Sequence, residues 1–125
     1  MIRIFVTKPF ARFARREGIE DALLRDAVRR ADQGLINADL GGGVVKQRIA
    51  RPGQGRSSGY RSILLFRTRH RAFFAHGFAK NARDSIGKDE LAAFRALAVE
   101  MLDLSEDAIA AAVANGTISE INDDD

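Results

Sequence analysis

The chain contains no cysteine and only two histidines, His70 and His76. Without cysteine it can form neither a disulfide framework nor a cysteine-based zinc site, and we expect a protein of a reducing compartment, the cytoplasm. Its central part, residues 41–88, holds a single acid, Asp84, which leaves too few carboxylates for a metal site or an acid–base pair. We therefore expect no metal, no other cofactor and no Ser/His/Asp hydrolase.

Long apolar runs are absent too. The N-terminus lacks the continuous apolar stretch of a signal peptide, and no uninterrupted run reaches the roughly 20 residues that span a membrane. With 125 residues, the chain is long enough for one domain with a core of its own. We expect a non-secreted protein with no membrane partner.

Charge is abundant but unevenly distributed. Residues 1–88 carry 19 Lys/Arg against 7 Asp/Glu, a net charge of +12, whereas residues 89–125 carry 1 against 10, a net charge of −9. A basic block of strand-like sequence offers a surface for a polyanion, because each neutralised phosphate releases counterions. The alternative is a solvated basic face that only keeps the protein in solution.

The stretch “RPGQGRSSGYRS”, residues 51–62, places three glycines and three arginines before the apolar run 63–66. Its glycines match neither G-x-x-x-x-G-K-[ST] nor a G-x-G-x-x-G between a strand and a helix. The glycine triplet 41–43 also precedes a strand, so nucleotide binding is not expected at either place. We predict a loop whose glycines allow a turn or a close approach to a ligand, followed by a strand that carries Arg61.

Hydrophobic periodicity predicts the N-terminal elements. Residues 2–6, “IRIFV”, are β-branched and aromatic enough for a strand. Thr7 is placed to cap a helix that ends at Gly18, with Pro9 tolerated in its first turn. A second amphipathic helix is predicted over residues 20–33.

Three strands are predicted in the middle of the chain. After a loop, “VVKQRIA” alternates, with apolar residues on one face and Lys46 and Arg48 on the other, roughly 6 to 7 Å apart. “YRSILLFRT” and “RAFFAHGFAK” follow with short connections, which indicates an antiparallel meander. In the last strand, His76 is predicted to be a structural residue on one face with Phe74 and Phe78.

The C-terminal third returns to a helical period. A helix capped by Asp89 or Ser85 is predicted first, and Ser105 caps a shorter one, before a tail that is either a strand or disordered. We predict an α+β fold with two N-terminal helices packed on a small antiparallel β-sheet and additional C-terminal helices. The main domain is assigned to residues 1–104 and an acidic extension to residues 105–125.

Arginine and lysine on neighbouring strands can support one reaction without metal or histidine. In RNA transesterification, the 2′-hydroxyl of the substrate attacks the adjacent phosphate, and guanidinium groups stabilise the extra negative charge of the transition state. A lysine crowded by other cations has a lowered pKa and can accept the proton. The residue types of the basic block fit this mechanism.

Two segments also resemble a known family. “DLGGGVVKQRIARPGQGRSSGYRSILLF” and “AFFAHGFAKNARDSI” are similar to the HigB-like branch of the RelE/ParE superfamily of type II toxin–antitoxin toxins. The resemblance depends on “SSGYR” and “FAKN” in this order after a Lys-x-Arg strand. It implies a small α+β protein that cleaves messenger RNA at the ribosome without a metal ion and so inhibits translation. It also implies a cognate antitoxin, expected to carry a helix-turn-helix domain.

Carried over by position, the resemblance implies which side chains act. Lys46 and Arg48 lie near the scissile phosphate, Arg61 stabilises the transition state, and Lys80 of “FAKN” supplies a further cation. RelE-like enzymes often carry an arginine and an aromatic hydroxyl after this lysine, and neither is present, which leaves the general base open between Lys46 and Lys80. Tyr60 either stacks on an RNA base or fills the sheet edge. The candidates for RNA contact are Arg51, Arg56, Tyr60, Asn81 and Arg83.

Two other functions stay open. A ParE-like toxin of the same fold would inhibit DNA gyrase by binding, and a basic nucleic-acid-binding module would have no activity of its own. The dense set of cations favours the endoribonuclease, because a gyrase binder has no need for a convergent phosphate site. A helix-turn-helix DNA reader fits worst, since the basic block lies on predicted strands.

Overall fold

The computed structural model describes residues 2–51, 55–79 and 86–121. Within them the elements follow in the order β1 (Arg3–Thr7), α1 (Lys8–Glu17), α2 (Asp21–Asp32), β2 (Ala38–Gly41), β3 (Val44–Arg51), β4 (Gly55–Arg67), β5 (Arg71–Ala79), α3 (Lys88–Leu102), α4 (Glu106–Ala114) and β6 (Ile118–Ile121). No helix in these ranges is long and apolar enough to cross a membrane.

The strands form one mixed sheet of six, in the order β2-β3-β4-β5-β1-β6. β1 runs parallel to β5, and every other neighbouring pair is antiparallel. The predicted α+β class and the meander β3-β4-β5 are confirmed, but the prediction of a small, wholly antiparallel sheet is wrong. The reason lies in β1: Ile4, Phe5 and Val6 are all buried, so this strand needs cover on both faces and a neighbour along each edge.

Helices cover both faces of the sheet. On the α1/α2 face, Phe10 stacks on Phe74 with ring centroids 4.9 Å apart. On the α3/α4 face, Phe5 stacks on Phe73 at 5.0 Å. Phe73 and Phe74 are neighbours in β5, and strand alternation sends them to opposite faces. The N-terminal helices therefore cover one face, as predicted, and the C-terminal helices form a second layer on the other.

Local signals set both ends of α1. Thr7 Oγ1 accepts a hydrogen bond from the N–H of Phe10 at 3.4 Å, which is the predicted cap. The same hydroxyl donates to the carbonyl of Phe74 at 3.2 Å and so joins the helix to β5. Gly18 ends α1 in the left-handed conformation, with φ 69°, which glycine adopts without a steric penalty.

Of the N-caps of the two C-terminal helices, one was predicted from the sequence and the other was not. Ser105 caps α4, as predicted. α3 instead begins after Gly87, whose N–H donates to the Glu90 carboxylate at 2.9 Å. The predicted cap at Asp89 is wrong, because a glutamate three residues after the cap satisfies the free N–H from inside the helix. The alternative cap, Ser85, lies outside the described residues.

The C-terminal segment is part of the same sheet. β6 pairs along β1, and Ile109 of α4 is buried in the core of the α3/α4 face. Arg3 of β1 makes two hydrogen bonds of 2.9 Å to Glu120 of β6 and also pairs with Glu106. The bonds to Glu120 raise the pKa of the Arg3 guanidinium above its ordinary value. The tail thus contains a strand, while the division of the chain after residue 104 stays a prediction.

Candidate active site

Three basic side chains meet on the α3/α4 face of the sheet. In the register of β3 and β4, Arg48 lies opposite Arg61, and Lys46 lies opposite Ile63. Ile63 belongs to the core of the α3/α4 face, so alternation puts the three cations on this face. Opposite residues have Cβ atoms about 5 Å apart, and Lys46 lies about 7 Å from Arg48 along β3. The structure therefore brings together three of the four side chains predicted to be catalytic.

The facing arginines place two positive charges close together. Like charges directly opposite each other on adjacent strands are destabilising. Arg48 Nε is buried and has no hydrogen-bond partner among the described residues. Arg61 is only 7% exposed, and its guanidinium donates to the Tyr60 carbonyl in a long hydrogen bond of 3.5 Å. An anion between the two guanidinium groups would accept hydrogen bonds from both and offset their repulsion.

Gln47 anchors β3 between its two cations. Its side chain is buried on the α1/α2 face, where Nε2 donates to the carbonyls of Ala27 and Leu35 at 2.9 and 3.0 Å. Oε1 accepts from the N–H of Arg48 at 3.2 Å, and the Ser62 hydroxyl donates to the Gln47 carbonyl at 3.1 Å. A buried amide with all these partners holds β3 in one position against α2. The neighbouring cations therefore project from a rigid backbone.

Arg30 adds a second link from α2 to the site. Its guanidinium donates to the carbonyl of Arg48 at 2.8 Å and to the carboxylate of Asp26 at 3.0 Å. Neither Gln47 nor Arg30 is predicted from the sequence. The sequence did contain a signal for Gln47. The alternation of β3 puts it at an inward position where an apolar residue is expected, and a buried amide needs hydrogen-bond partners. Arg30 carried none, since a basic residue on a helix is ordinarily solvated.

Tyr60 and Arg51, two of the predicted RNA contacts, lie on the α1/α2 side. Tyr60 is 3% exposed, packs edge-on against Phe13 with centroids 5.7 Å apart, and donates to the Glu17 carbonyl at 3.4 Å. The Arg51 guanidinium lies over the Tyr60 ring, 5.0 Å from its centroid. Because successive strand residues point to opposite faces, Tyr60 cannot stack on a base next to a phosphate held by Arg61. Of the two roles left open for Tyr60, its position favours the structural one.

The family of the protein follows from comparison with known proteins. The model of the family described as the RelE toxin of the RelE/RelB toxin–antitoxin system matches residues 2–121. The chain belongs to the RelE toxin family. Comparison with curated proteins and with solved structures gives no significant match. Membership in the RelE/ParE superfamily is thus confirmed, with a cognate antitoxin as partner, while the HigB-like branch stays a prediction.

Four predicted site residues of this RelE-family toxin have side chains outside the described part of the chain. Arg56 lies in β4, but its side chain is outside the described part of the chain. Lys80, Asn81 and Arg83 follow the end of β5 and also lie outside it. Their roles in catalysis and RNA contact stay predictions.

A β-bulge in β5 brings His76 to the same face as the cations. The register with β4 skips Ala75, so Ala75 and His76 both point to the α3/α4 face. There the His76 ring lies 5.9 Å from Phe78 and 6.0 Å from Phe94 between centroids, whereas Phe74 faces α1. The predicted shared face of His76 and Phe74 is wrong, because the bulge reverses the alternation. Within the described residues, no group of three or more His, Cys, Asp or Glu is arranged to hold a metal ion.

Gly59 lets β3 and β4 approach closely beside the arginine pair. A Cβ at this position would lie 2.3 Å from the carbonyl oxygen of Ile49 and 2.9 Å from the backbone nitrogen of Arg51. Gly59 is predicted as a loop glycine, but it lies inside β4, two residues before Arg61. Gly59 therefore sets the separation of the strands that carry Arg48 and Arg61.

Replacing Gly59 by alanine is expected to push these strands apart at the arginine pair. The clash involves backbone atoms that cannot rotate away, so we expect the free energy of unfolding to fall by about 1–3 kcal/mol, together with weaker growth arrest. Urea denaturation and induced expression measure the two effects. Gly87→Ala is the control, because its Cβ would have room and growth arrest should persist. Equal losses of growth arrest in both variants would contradict the role of Gly59.

Proposed function

We propose that this RelE-family toxin is an endoribonuclease of the HigB-like branch that cleaves messenger RNA on the ribosome and so inhibits translation. Lys46, Arg48 and Arg61 bind and activate the scissile phosphate, with Lys80 as a further cation. The proposed substrate is translated in the cytoplasm, so we expect the toxin to act there. The cognate antitoxin is expected to carry a helix-turn-helix domain.

The observation that carries this proposal is the pair of arginines facing each other across β3 and β4. Two guanidinium groups directly opposite each other on adjacent strands repel. They suit a phosphodiester, whose single negative charge becomes two in the pentacoordinate transition state. Lys46 lies on the same face, within reach of the same phosphate or its neighbour.

The proposed reaction is a transesterification. The 2′-oxygen forms a bond to phosphorus while the bond from phosphorus to the 5′-oxygen breaks, so one fragment ends in a 2′,3′-cyclic phosphate and the other begins with a 5′-hydroxyl. The general base, Lys46 or Lys80, accepts the proton of the 2′-hydroxyl, and the departing 5′-oxygen takes up a proton from water. Arg48 and Arg61 donate hydrogen bonds that strengthen as the negative charge develops.

The support beneath the site fits a catalytic role. Hydrogen-bond donors accelerate a reaction most when they are already in place before charge develops. The Gln47 side chain bonds both to α2 and to the N–H of Arg48, and the Arg30 guanidinium bonds from α2 to the carbonyl of Arg48. These hydrogen bonds fix the backbone of β3 at Arg48. The cations of β3 thus need little reorganisation when the phosphate arrives.

Mapping of transcript ends after induced expression tests the proposal. New 5′ ends are expected in messenger RNA, carrying 5′-hydroxyl groups and confined to translated reading frames. A reporter transcript whose start codon is mutated is the matched control and should stay intact if cleavage needs the ribosome. Breaks in chromosomal DNA with intact transcripts would contradict the proposal and would favour inhibition of DNA gyrase instead.

A further inference from the structure

The face of the sheet that holds the candidate active site also carries a titratable side chain, His76, that the proposed reaction does not use. In the register of β4 and β5, His76 lies opposite Ile63, and Ile63 lies opposite Lys46 of β3. These three residues form a row across three strands, next to the facing pair Arg48 and Arg61. Since neighbouring strands lie about 4.8 Å apart, Lys46 and His76 stand roughly 10 Å apart on either side of β4.

His76 reaches this face because of the β-bulge in β5. The register with β4 skips Ala75, which lies between the paired residues Phe74 and His76. With regular alternation, His76 would share the face of Phe74, which stacks on Phe10 of α1. Bulges interrupt the hydrogen-bond ladder and are frequent next to active sites, where they re-aim a side chain. This bulge aims His76 at the cations.

The imidazole ring is held in place but is not fully buried. Its centroid lies 5.9 Å from that of Phe78 on β5 and 6.0 Å from that of Phe94 on α3. His76 nevertheless keeps part of its surface exposed. Diagonal neighbours on adjacent strands have Cβ atoms about 7 Å apart, so His76 lies within reach of a phosphate that is bound to Arg61.

The proposed cleavage needs a proton donor as well as a base. In-line attack places the 2′-oxygen and the departing 5′-oxygen on opposite sides of the phosphorus. Lys46, one of the two candidates for the general base, lies on one side of β4, and His76 lies on the other. The guanidinium groups of Arg48 and Arg61 hold their protons too strongly to give one up, whereas an imidazolium exchanges its proton near neutral pH. The position and the chemistry of His76 therefore suit protonation of the leaving group.

We propose that His76 is a catalytic residue, the general acid that gives a proton to the departing 5′-oxygen. Its Nε2 atom is buried, so the proton comes from Nδ1. As the bond from phosphorus to the 5′-oxygen breaks, its electron pair takes up this proton, and the neutral imidazole then takes another from water. Water remains the final source of the proton, and His76 delivers it. The inference rests on the proposed endoribonuclease function and replaces the structural role that the sequence predicts for His76.

The test uses a leaving group that needs no acid. A short synthetic messenger RNA, which contains a cleavage site found by mapping of transcript ends, is bound to ribosomes with either oxygen or sulfur as the bridging 5′ atom. A thiol is far more acidic than an alcohol, so the sulfur departs without a proton. His76→Gln is expected to slow cleavage of the oxygen substrate by about 10²- to 10⁴-fold, the usual contribution of a general acid. Cleavage of the sulfur substrate should stay close to that of the unaltered toxin.

Two further variants serve as controls. His70, the other histidine of the chain, is exposed in the turn between β4 and β5, and His70→Gln should cut both substrates at the unaltered rate. Arg61→Gln should remain slow on both, because Arg61 acts on the phosphate oxygens and not on the leaving group. Thermal unfolding verifies that each protein folds, and His76→Asn is measured in the same way if His76→Gln does not fold.

Slow cleavage of both substrates by a folded His76→Gln protein would overturn the proposal, because the imidazole would then act on something other than the leaving group. Unchanged cleavage of the oxygen substrate would overturn it as well, and so would loss of folding in both His76 variants, which would assign the residue a structural role. Each of these results leaves the endoribonuclease standing, provided that the unaltered toxin cuts the RNA. If the unaltered toxin cuts neither substrate and transcripts stay intact in cells, the proposed function is wrong, and the role of His76 is wrong with it.

Discussion

Replacing Arg61 by glutamine is expected to slow RNA cleavage by roughly 10²- to 10³-fold, the usual cost of removing one donor to a developing oxyanion. Glutamine keeps a polar side chain but removes both the charge and the guanidinium fork that can bind two phosphate oxygens. The measurement is the rate of cleavage of one transcript on translating ribosomes. Growth arrest after induction should be lost in parallel. A folded Arg61→Gln protein that remains fully toxic would contradict the proposed mechanism.

Arg67→Gln is the matched control for this experiment. Arg67 lies on the same strand and the same face as Arg61, about 20 Å away. It donates to the carbonyl of Leu102 at 3.0 Å and pairs with Asp103 at 2.9 Å, so its role is to hold the end of α3. The cleavage rate of Arg67→Gln should stay close to that of the unaltered toxin. If both variants lose activity equally, loss of positive charge explains the effect and the specific role of Arg61 is wrong.

Replacing Arg71 by methionine is expected to lower the free energy of unfolding by about 3 kcal/mol, because a buried guanidinium is removed and two backbone carbonyls lose the donor that they share. Arg71 is 3% exposed. Its guanidinium donates to the carbonyls of Met101 and Leu104 at 3.3 and 2.8 Å and to the carboxylate of Glu106 at 3.1 Å. These bonds connect β5 to the turn between α3 and α4. Urea denaturation of the two proteins measures the difference.

Glu106→Gln separates the two parts of this network. The Glu106 side chain is 67% exposed, and exposed ion pairs usually contribute less than about 1 kcal/mol. The variant should therefore be much less destabilised than Arg71→Met. If both variants lose equal stability, the ion pair is the important interaction, and the buried carbonyl bonds of Arg71 contribute little.

Several features of the fold were predictable because neighbouring residues decide them. Thr7 caps α1 by bonding to the N–H of Phe10, three residues away, and Gly18 ends the helix through its own backbone freedom. The short connections between the central strands predict a meander without knowledge of the rest of the chain. The alternation of “VVKQRIA” likewise places Lys46 and Arg48 on one face of β3. In each case the energy that determines the structure comes from a few residues close in sequence.

The candidate site was predictable in its residues but not in its arrangement. The Lys-x-Arg alternation points to Lys46 and Arg48, and the family resemblance points to these two residues and to Arg61. Neither predicts that Arg48 and Arg61 face each other, because register depends on the pairing of two whole strands. Gln47 was not predicted either, since its partners are carbonyls of α2 and of the segment after it.

By itself, the sequence determined the helix ends at Thr7 and Ser105, the meander and the strand cations, all of which depend on short-range periodicity, capping and charge. Only the tertiary structure decided that β1 lies parallel to β5 and beside β6, because such pairings join segments up to about a hundred residues apart. It also decided which face Tyr60 and His76 occupy. Tyr60 lies in the core and packs against Phe13. His76 points to the α3/α4 face because of a bulge in the pairing of β4 and β5. The residues next to Tyr60 and His76 in the sequence do not determine which strand pairs with theirs. The faces that these two side chains occupy are therefore defined only when the sheet forms.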